Sequence, residues 1–252
     1  MPSTMRQFQA LLATEVRLFL REPTALFFSL AFPLILLLFV GSIGASEEVA
    51  TGVRFVDTYM ASMIAVTAAN VGIMGLSIHV AENRSRGALK RYHLSPMHPA
   101  VFFAAQLATA LVTVAISLLG LIAVTIVLYG LSNTANWLLL FFYTLLALWT
   151  TVSWGLFLGG LRLPLRSVQV ISAAVFFLMF FSSGAALPRQ AFPEWLQGIT
   201  AWNPIAVLND TLVQAYTGYG EVTAVRIAAL VLSTLCVNFI TSKAFDWEGH
   251  SS

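Results

Sequence analysis

The sequence predicts an all-α integral membrane protein: six transmembrane helices, an interfacial amphipathic helix before them, a short cytoplasmic helix after the second, and short broken outer-leaflet helices between the fifth and sixth. Three observations predict it. First, 58% of the 252 residues are hydrophobic and 10% charged, with a mean hydropathy of +0.84, whereas soluble domains carry about 25% charged residues. Second, the apolar residues gather into runs of the length a helix needs to cross the hydrocarbon core, about 20 residues for roughly 30 Å. Third, the Lys and Arg residues divide unequally between the two sets of connecting segments.

Residues 5–21 come first. On a helical wheel of about 100° per residue, Phe8, Leu11, Leu12, Val16, Leu18 and Phe19 share one arc, and Arg6, Gln7, Arg17 and Arg21 share the other. Such a helix lies in the headgroup plane. Glu15 interrupts its apolar arc, where a carboxylate is costly unless paired. We expect it to bond a basic residue of the cytoplasmic loops, such as Arg86, Arg91 or Arg162, or else to reach interfacial water.

The spans follow at 24–44, 58–81, 100–130, 137–160, 167–187 and 222–241. Pro33 and the internal glycines are tolerable there because neighbouring helices shield the backbone, and the third run is long enough to tilt. The first run is too long, and its leader too extended, for a cleaved signal peptide. With the N-terminus inside, Arg6, Arg17, Arg21, Arg84, Arg86, Lys90, Arg91, Arg162, Arg166 and Lys243 are cytoplasmic, and Arg54, Arg189 and Arg226 are not. Ten against three places both termini in the cytoplasm of a cell-membrane protein. Residues 82–99 are then a cytoplasmic loop between the second and third spans. The segment 188–216 is semi-apolar, broken by Pro193 and Pro204, and carries Trp195, Trp202 and Tyr216. Neither piece is long enough to cross and aromatics favour the interface, so short re-entrant helices in the outer leaflet are expected. The whole of 1–252 reads as one transmembrane domain without internal repeats.

Several chemistries are excluded. A net charge of +2 with scattered basic residues does not suit a nucleic-acid partner. The single cysteine, Cys236, builds neither a disulfide framework nor a thiolate metal site within one chain. There is no phosphate-loop, dinucleotide or zinc-protease motif, and His79, His93, His98 and His250 lack ligand spacing. No catalytic residue, metal or cofactor is expected in this chain. The serines of FSSGAA (181–186) could serve an intramembrane protease, but the one in-span histidine, His79, sits near the opposite end of its helix. Secondary transporters usually keep ionisable residues at mid-membrane; here the deep polar residues, Thr67, Asn70, Ser77, Ser117, Ser182, Ser183 and Asn238, do not titrate near neutral pH. Energy for transport should therefore come from a separate cytoplasmic subunit that hydrolyses ATP.

Three stretches carry a resemblance: EVRLFLREPTALFFSLAFPLILLLFVG (15–41), ENRSRGALKRYHLSP (82–96) and ALPRQAFPEWLQGITAWNPIAVLNDTLVQ (186–214). Together they resemble the permease subunits of type 2 ABC exporters, the group that includes daunorubicin-resistance permeases, the Nod-factor exporter and polysaccharide or teichoic-acid exporters. The second matches that family's acidic-x-x-x-x-Gly-x-Leu-x-x-x-x-x-Ser-Pro loop, with Ala88 where Thr is frequent. The resemblance implies two permease subunits side by side, in a homo- or heterodimer within membrane lipid. Each docks through a coupling helix to a nucleotide-binding subunit that holds ATP and Mg. It also implies outward movement of a hydrophobic or amphipathic substrate such as a drug, a lipid or a lipid-linked glycan.

In a helix over 85–94, Leu89 and Tyr92 share one face, and Arg86, Lys90 and His93 another. Gly87 permits close approach, and Pro96 and Pro99 end the helix. Glu82, Arg86, Gly87, Leu89, Lys90, Arg91 and Tyr92 are thus the expected ATPase-coupling residues, with Leu89 and Tyr92 as apolar anchors. Thr67, Asn70, Met74 and Ser77 share a helical face and, with Phe176 and Phe180, are the expected substrate pathway. Ala61, Ala65, Ala69, Gly72 and Gly75 form a small-residue stripe suited to helix contact. The alternatives are an ATP-independent transporter or channel-like protein, and a membrane scaffold.

Overall fold

A computed structural model of the chain describes residues 4–21, 23–44, 47–85, 99–130, 135–187 and 189–244. The protein is an all-α integral membrane protein, its strands among the described residues being one small hairpin, Glu48–Ala50 against Val53–Arg54. Helix α1 is Thr4–Arg21; α2 is Pro23–Leu26, continued through a π-helical stretch Phe27–Ala31 into α3, Phe32–Ile43. Next come α4, Phe55–Ala69, a second π-helical stretch Asn70–Leu76, and α5, Ser77–Ser85. Then follow α6, Pro99–Tyr129; α7, Trp137–Gly160; α8, Leu165–Ser182; α9, Glu194–Thr200; α10, Pro204–Thr217; and α11, Ala224–Ala244. Among the described residues, five helices are long and apolar enough to cross a membrane: Phe55–Ser85, Ala104–Tyr129, Trp137–Gly160, Leu165–Ser182 and Ala224–Lys243. The apolar helix at the expected first span, Phe27–Ile43, is shorter, although Pro23–Leu26 leads into it without a break.

That first apolar helix shows how a proline is accommodated. Pro33 has no N–H to give the carbonyl of Ser29, four residues back. The Ser117 hydroxyl of α6 donates to that carbonyl at 2.7 Å, so a neighbouring helix supplies what the ring removes.

The bundle is organised around the helix Phe55–Ser85. Of its apolar stretch 78% is buried inside the protein, against 22% for both Leu165–Ser182 and Ala224–Lys243. The cause is close backbone approach to α7. A Cβ on Gly72 would lie 2.5 Å from the Thr151 carbonyl carbon, one on Gly155 would fall on the Gly72 carbonyl oxygen, and one on Gly159 would sit 2.8 Å from the Ser77 oxygen. Of the expected stripe, Gly72 makes the tight crossing, whereas Gly75 is exposed. Ala61, Ala65 and Ala69 are fully buried within the same chain.

Helix α10 is the other central element. Ile205, Leu208, Leu212 and Tyr216 are all fully buried, and the helix packs on α4 and α7. Asn203 caps its start, accepting from the Ile205 N–H at 2.9 Å while its amide donates to the Met179 carbonyl at 2.7 Å and the Ser182 hydroxyl at 2.8 Å. Pro204 occupies the first turn, and Gly218 closes the helix at φ +69°. Trp195 and Trp202, just before it, are exposed. The expected pair of short interfacial helices thus consists of an exposed α9 and a core α10.

The two ends of the bundle differ. One, the basic end, carries Arg84, Arg162, Arg166 and Lys243 near helix termini; the other, the hairpin end, carries Arg54, Arg189 and Arg226. At the hairpin end Arg54 pairs with Asp57 at 2.8 Å and also donates to the carbonyls of Tyr129 and Gly130. The Asp57 hydrogen bonds hold its guanidinium above the ordinary arginine value.

The α4–α7 crossing makes a prediction. Gly155→Val should destabilise the protein by at least about 1–3 kcal/mol through overpacking. Gly198→Ala in α9, where a Cβ meets nothing within 4 Å, should leave stability unchanged or raise it by up to about 1 kcal/mol. Thermal unfolding of the purified chain followed by size-exclusion chromatography separates the two outcomes.

Candidate coupling site at the basic end

Glu15 lies on α1 and is only 5% exposed. Its Oε2 is 2.9 Å from His79 Nε2, and its Oε1 accepts from Gln106 Nε2 at 3.1 Å. The carboxylate therefore meets a base, but on α5, not in a loop; Arg162 is not its partner, and Arg86 and Arg91 lie outside the described residues. Asn83, one turn beyond His79, also approaches Nε2, at 2.8 Å. That nitrogen cannot donate to Glu15 and accept from the Asn83 amide at once.

The placement matters more than the pair. His79 precedes the segment 86–98 by two turns of α5, and Gln106 follows it by two turns of α6. Glu15 thus fastens the first helix to both limbs from which that segment hangs.

Arg84, in the last turn of α5, adds a second brace. Its guanidinium donates to the carbonyls of Gly159, Leu161 and Leu163, the last at 2.6 Å. The final carbonyls of a helix have no partner within it. Arg84 satisfies them at the end of α7 and in the turn to α8, and its planar fork suits the task. Ser77 adds a contact to α8, its hydroxyl 2.6 Å from that of Ser172. Glu82 is half-buried. The remaining expected coupling residues, Arg86, Gly87, Leu89, Lys90, Arg91 and Tyr92, lie outside the described residues.

The expected substrate strip lies largely inside the bundle of this chain. Thr67, Asn70 and Ser77 are buried, with the Thr67 and Ser77 hydroxyls donating to Met63 and Ile73 carbonyls at 2.7 and 2.6 Å. The Asn70 amide reaches Met74 Sδ at 3.9 Å. Phe176 and Phe180 are buried too, and their rings stack with centroids 6.0 Å apart. Met74 is half-buried. Outward on α8 the exposed aromatics are Phe177 and Phe181.

Arg84 and His79 were legible in the sequence only as a positive charge and a lone histidine. Gly155 and Gly159 were missed by the sequence reading, although small residues four apart in an apolar helix are the signal that marks such a contact. Residues 6–217 match the family described as ABC-2 type transporter. No curated protein matches the chain. With most of its length covered, the chain belongs to the ABC-2 type transporter family.

The Glu15 cluster makes a testable prediction. Glu15→Ala and His79→Ala should each destabilise the purified protein, and the double variant should lose less than their sum. A cycle on unfolding midpoints should give an interaction energy of about 0.5–3 kcal/mol; strict additivity would show that the two side chains act independently.

Proposed function

We propose that this member of the ABC-2 type transporter family is the membrane-embedded permease subunit of an ATP-driven exporter. In this reading the basic end is cytoplasmic, both termini lie on that side of the cell membrane, and ATP and Mg act on a separate nucleotide-binding subunit. A second permease chain, identical or different, completes the transporter. The cargo is a hydrophobic or amphipathic molecule moved outward.

The observation that carries the proposal is the bracing of both limbs of the segment 86–98. Arg84 holds the descending limb to α7 and α8, and Glu15 holds α1 to both limbs through His79 and Gln106. A partner pressing on that segment moves no isolated loop. It displaces Phe55–Ser85, and α7 with it, because their backbones touch at Gly72 and Gly155. Packed interfaces of this kind shift between discrete arrangements and do not deform continuously, which suits conversion of a partner's closure into an opening elsewhere. Leu89 and Tyr92 are the proposed anchors in the partner's groove, with Arg86, Lys90 and Arg91 facing acidic residues there and Glu82 and Gly87 setting the approach. No span centre offers an ionisable side chain to couple an ion gradient, which supports an external ATPase over an ATP-independent carrier.

Two sets of variants test the reading. Leu89→Asp and Tyr92→Asp should remove the ATPase subunit from the purified complex and reduce export by about tenfold or more. Arg84→Ala should keep the subunit bound but lower export per ATP hydrolysed, and Arg84→Lys should not restore it, since a point donor cannot span three carbonyls. Export that persists without nucleotide, from a chain that purifies without any ATPase, would overturn the proposal.

A further inference from the structure

Helix α1 carries its charges on two sides. Its one acid, Glu15, turns inward to His79 and Gln106, while its cations Arg6, Arg17 and Arg21 are all exposed. Among the described residues Arg17 has no ion pair or hydrogen bond.

Beside Arg17, α1 and α6 border an open groove of about 480 Å³, lined by Gln9, Leu12, Ala13, Val16 and Arg17 of α1 and by Val112 of α6. Gln9, Ala13 and Arg17 follow one another at intervals of four residues, so they form one line along the helix. The groove is therefore apolar along its length, with a cation on one rim. On α6, Val112 is 36% exposed whereas its neighbours Thr113 and Val114 are buried, so the groove opens outward from the bundle.

Depth decides what fits it. Glu15, half a turn before Arg17, bonds Gln106, which stands two residues into the apolar helix Ala104–Tyr129. Val112 lies six residues further along that helix, about 9 Å deeper at about 1.5 Å per residue. Arg17 thus stands near the edge of the apolar layer and the far wall of the groove stands within it. A neutral chain would leave the guanidinium uncompensated, and a water-soluble anion would leave the apolar wall uncovered. An arginine covers apolar surface with its stem while its head stays free for an anion. The matching occupant has an anionic head and a hydrocarbon tail.

We propose that this groove holds one anionic phospholipid of the leaflet at the basic end, its phosphate on the Arg17 guanidinium and one acyl chain against Val16 and Val112. The lipid is a resident of the outer surface of the bundle and is not the cargo. It seals α1 on α6 beside the Glu15–Gln106 bond, and so strengthens the attachment of α1 to one limb of the segment 86–98. Its binding does not depend on the export reading.

The test uses the full chain in nanodiscs of phosphatidylcholine with a graded share of phosphatidylglycerol, transferred to mild detergent for native mass spectrometry, which counts the lipids retained by each chain. Saturable retention of one phosphatidylglycerol in preference to phosphatidylcholine is expected, with an unfolding midpoint that rises as the site fills. Arg17→Gln should lower retention about fivefold, the effect of one arginine at a charged surface. Arg6→Gln and Arg21→Gln, outside the groove lining, should leave it unchanged. Ala13→Trp fills the groove without altering charge and should abolish retention. Equal retention of the two lipids, an equal loss in Arg6→Gln or Arg21→Gln, or full retention by Ala13→Trp would overturn the proposal. So would an Ala13→Trp chain that keeps its lipid and changes its oligomeric state, since the occupant would then be a second copy.

Discussion

Much of this structure depends on one contact, the crossing of Phe55–Ser85 over Trp137–Gly160 at Gly72 and Gly155. Within a membrane the hydrophobic effect does not drive helices together, since lipid tails are as apolar as leucine. Close backbone approach with dense van der Waals contact takes its place. Two glycines at the crossing bring the carbonyl of one helix to where a side chain of the other would stand, and the flanking residues follow into contact. With that helix centred, the remaining elements arrange themselves around it: α10 covers its first half, α8 meets its second half through Ser77 and Ser172, and α1 docks at its far end through Glu15 and His79.

Backbone groups that these arrangements leave open are paired by side chains from other helices. Ser117 takes the carbonyl that Pro33 cannot use, Asn203 closes the end of α8 while capping α10, and Arg84 collects the carbonyls at the end of α7. In low dielectric each such group is expensive to leave alone, so these bonds act as locators as much as stabilisers. They also sort by position. Uncharged donors serve the deeper sites, and guanidiniums serve the two ends, where charge reaches water or headgroups.

The apolar runs and their approximate limits were legible in the sequence, because hydropathy acts over whole segments; the basic segment 86–98 lies outside the described residues. Glu15 was legible as a residue in need of a partner. The partner was not, since His79 and Gln106 stand 64 and 91 positions away and only packing brings them together. Thr67, Asn70, Met74 and Ser77 share a helical face as expected, yet a face pattern does not say what the neighbour is; within this chain Ser77 meets Ser172 of α8. Helix α10 carries two signals at once. Its flanking prolines and tryptophans mark an interface, while Ile205, Leu208, Leu212 and Tyr216, spaced by three and four, mark a buried helix; both signals were present, and tertiary packing decided between them.

The distribution of polarity along Phe55–Ser85 connects the two ends of the bundle. At the basic end His79 and Arg84 tie it to α1, to the end of α7 and to the turn before α8; at the hairpin end Thr58, Tyr59 and Ser62 line a cavity. Between them lies the π-helical stretch Asn70–Leu76, where the crossing with α7 occurs. A wide turn in an otherwise α-helical rod is a point at which register can change by a residue without breaking the hydrogen-bonded ladder. Displacement entering at Arg84 has two routes upward: rigid movement of α7 through the glycine contact, and rewinding of the π turn. The first carries both helices together and leaves the cavity wall in place relative to α7. The second moves Thr58 and Ser62 relative to Asn209, which belongs to α10. The two routes therefore differ in whether α4 keeps its place against α10, the helix it packs on most heavily.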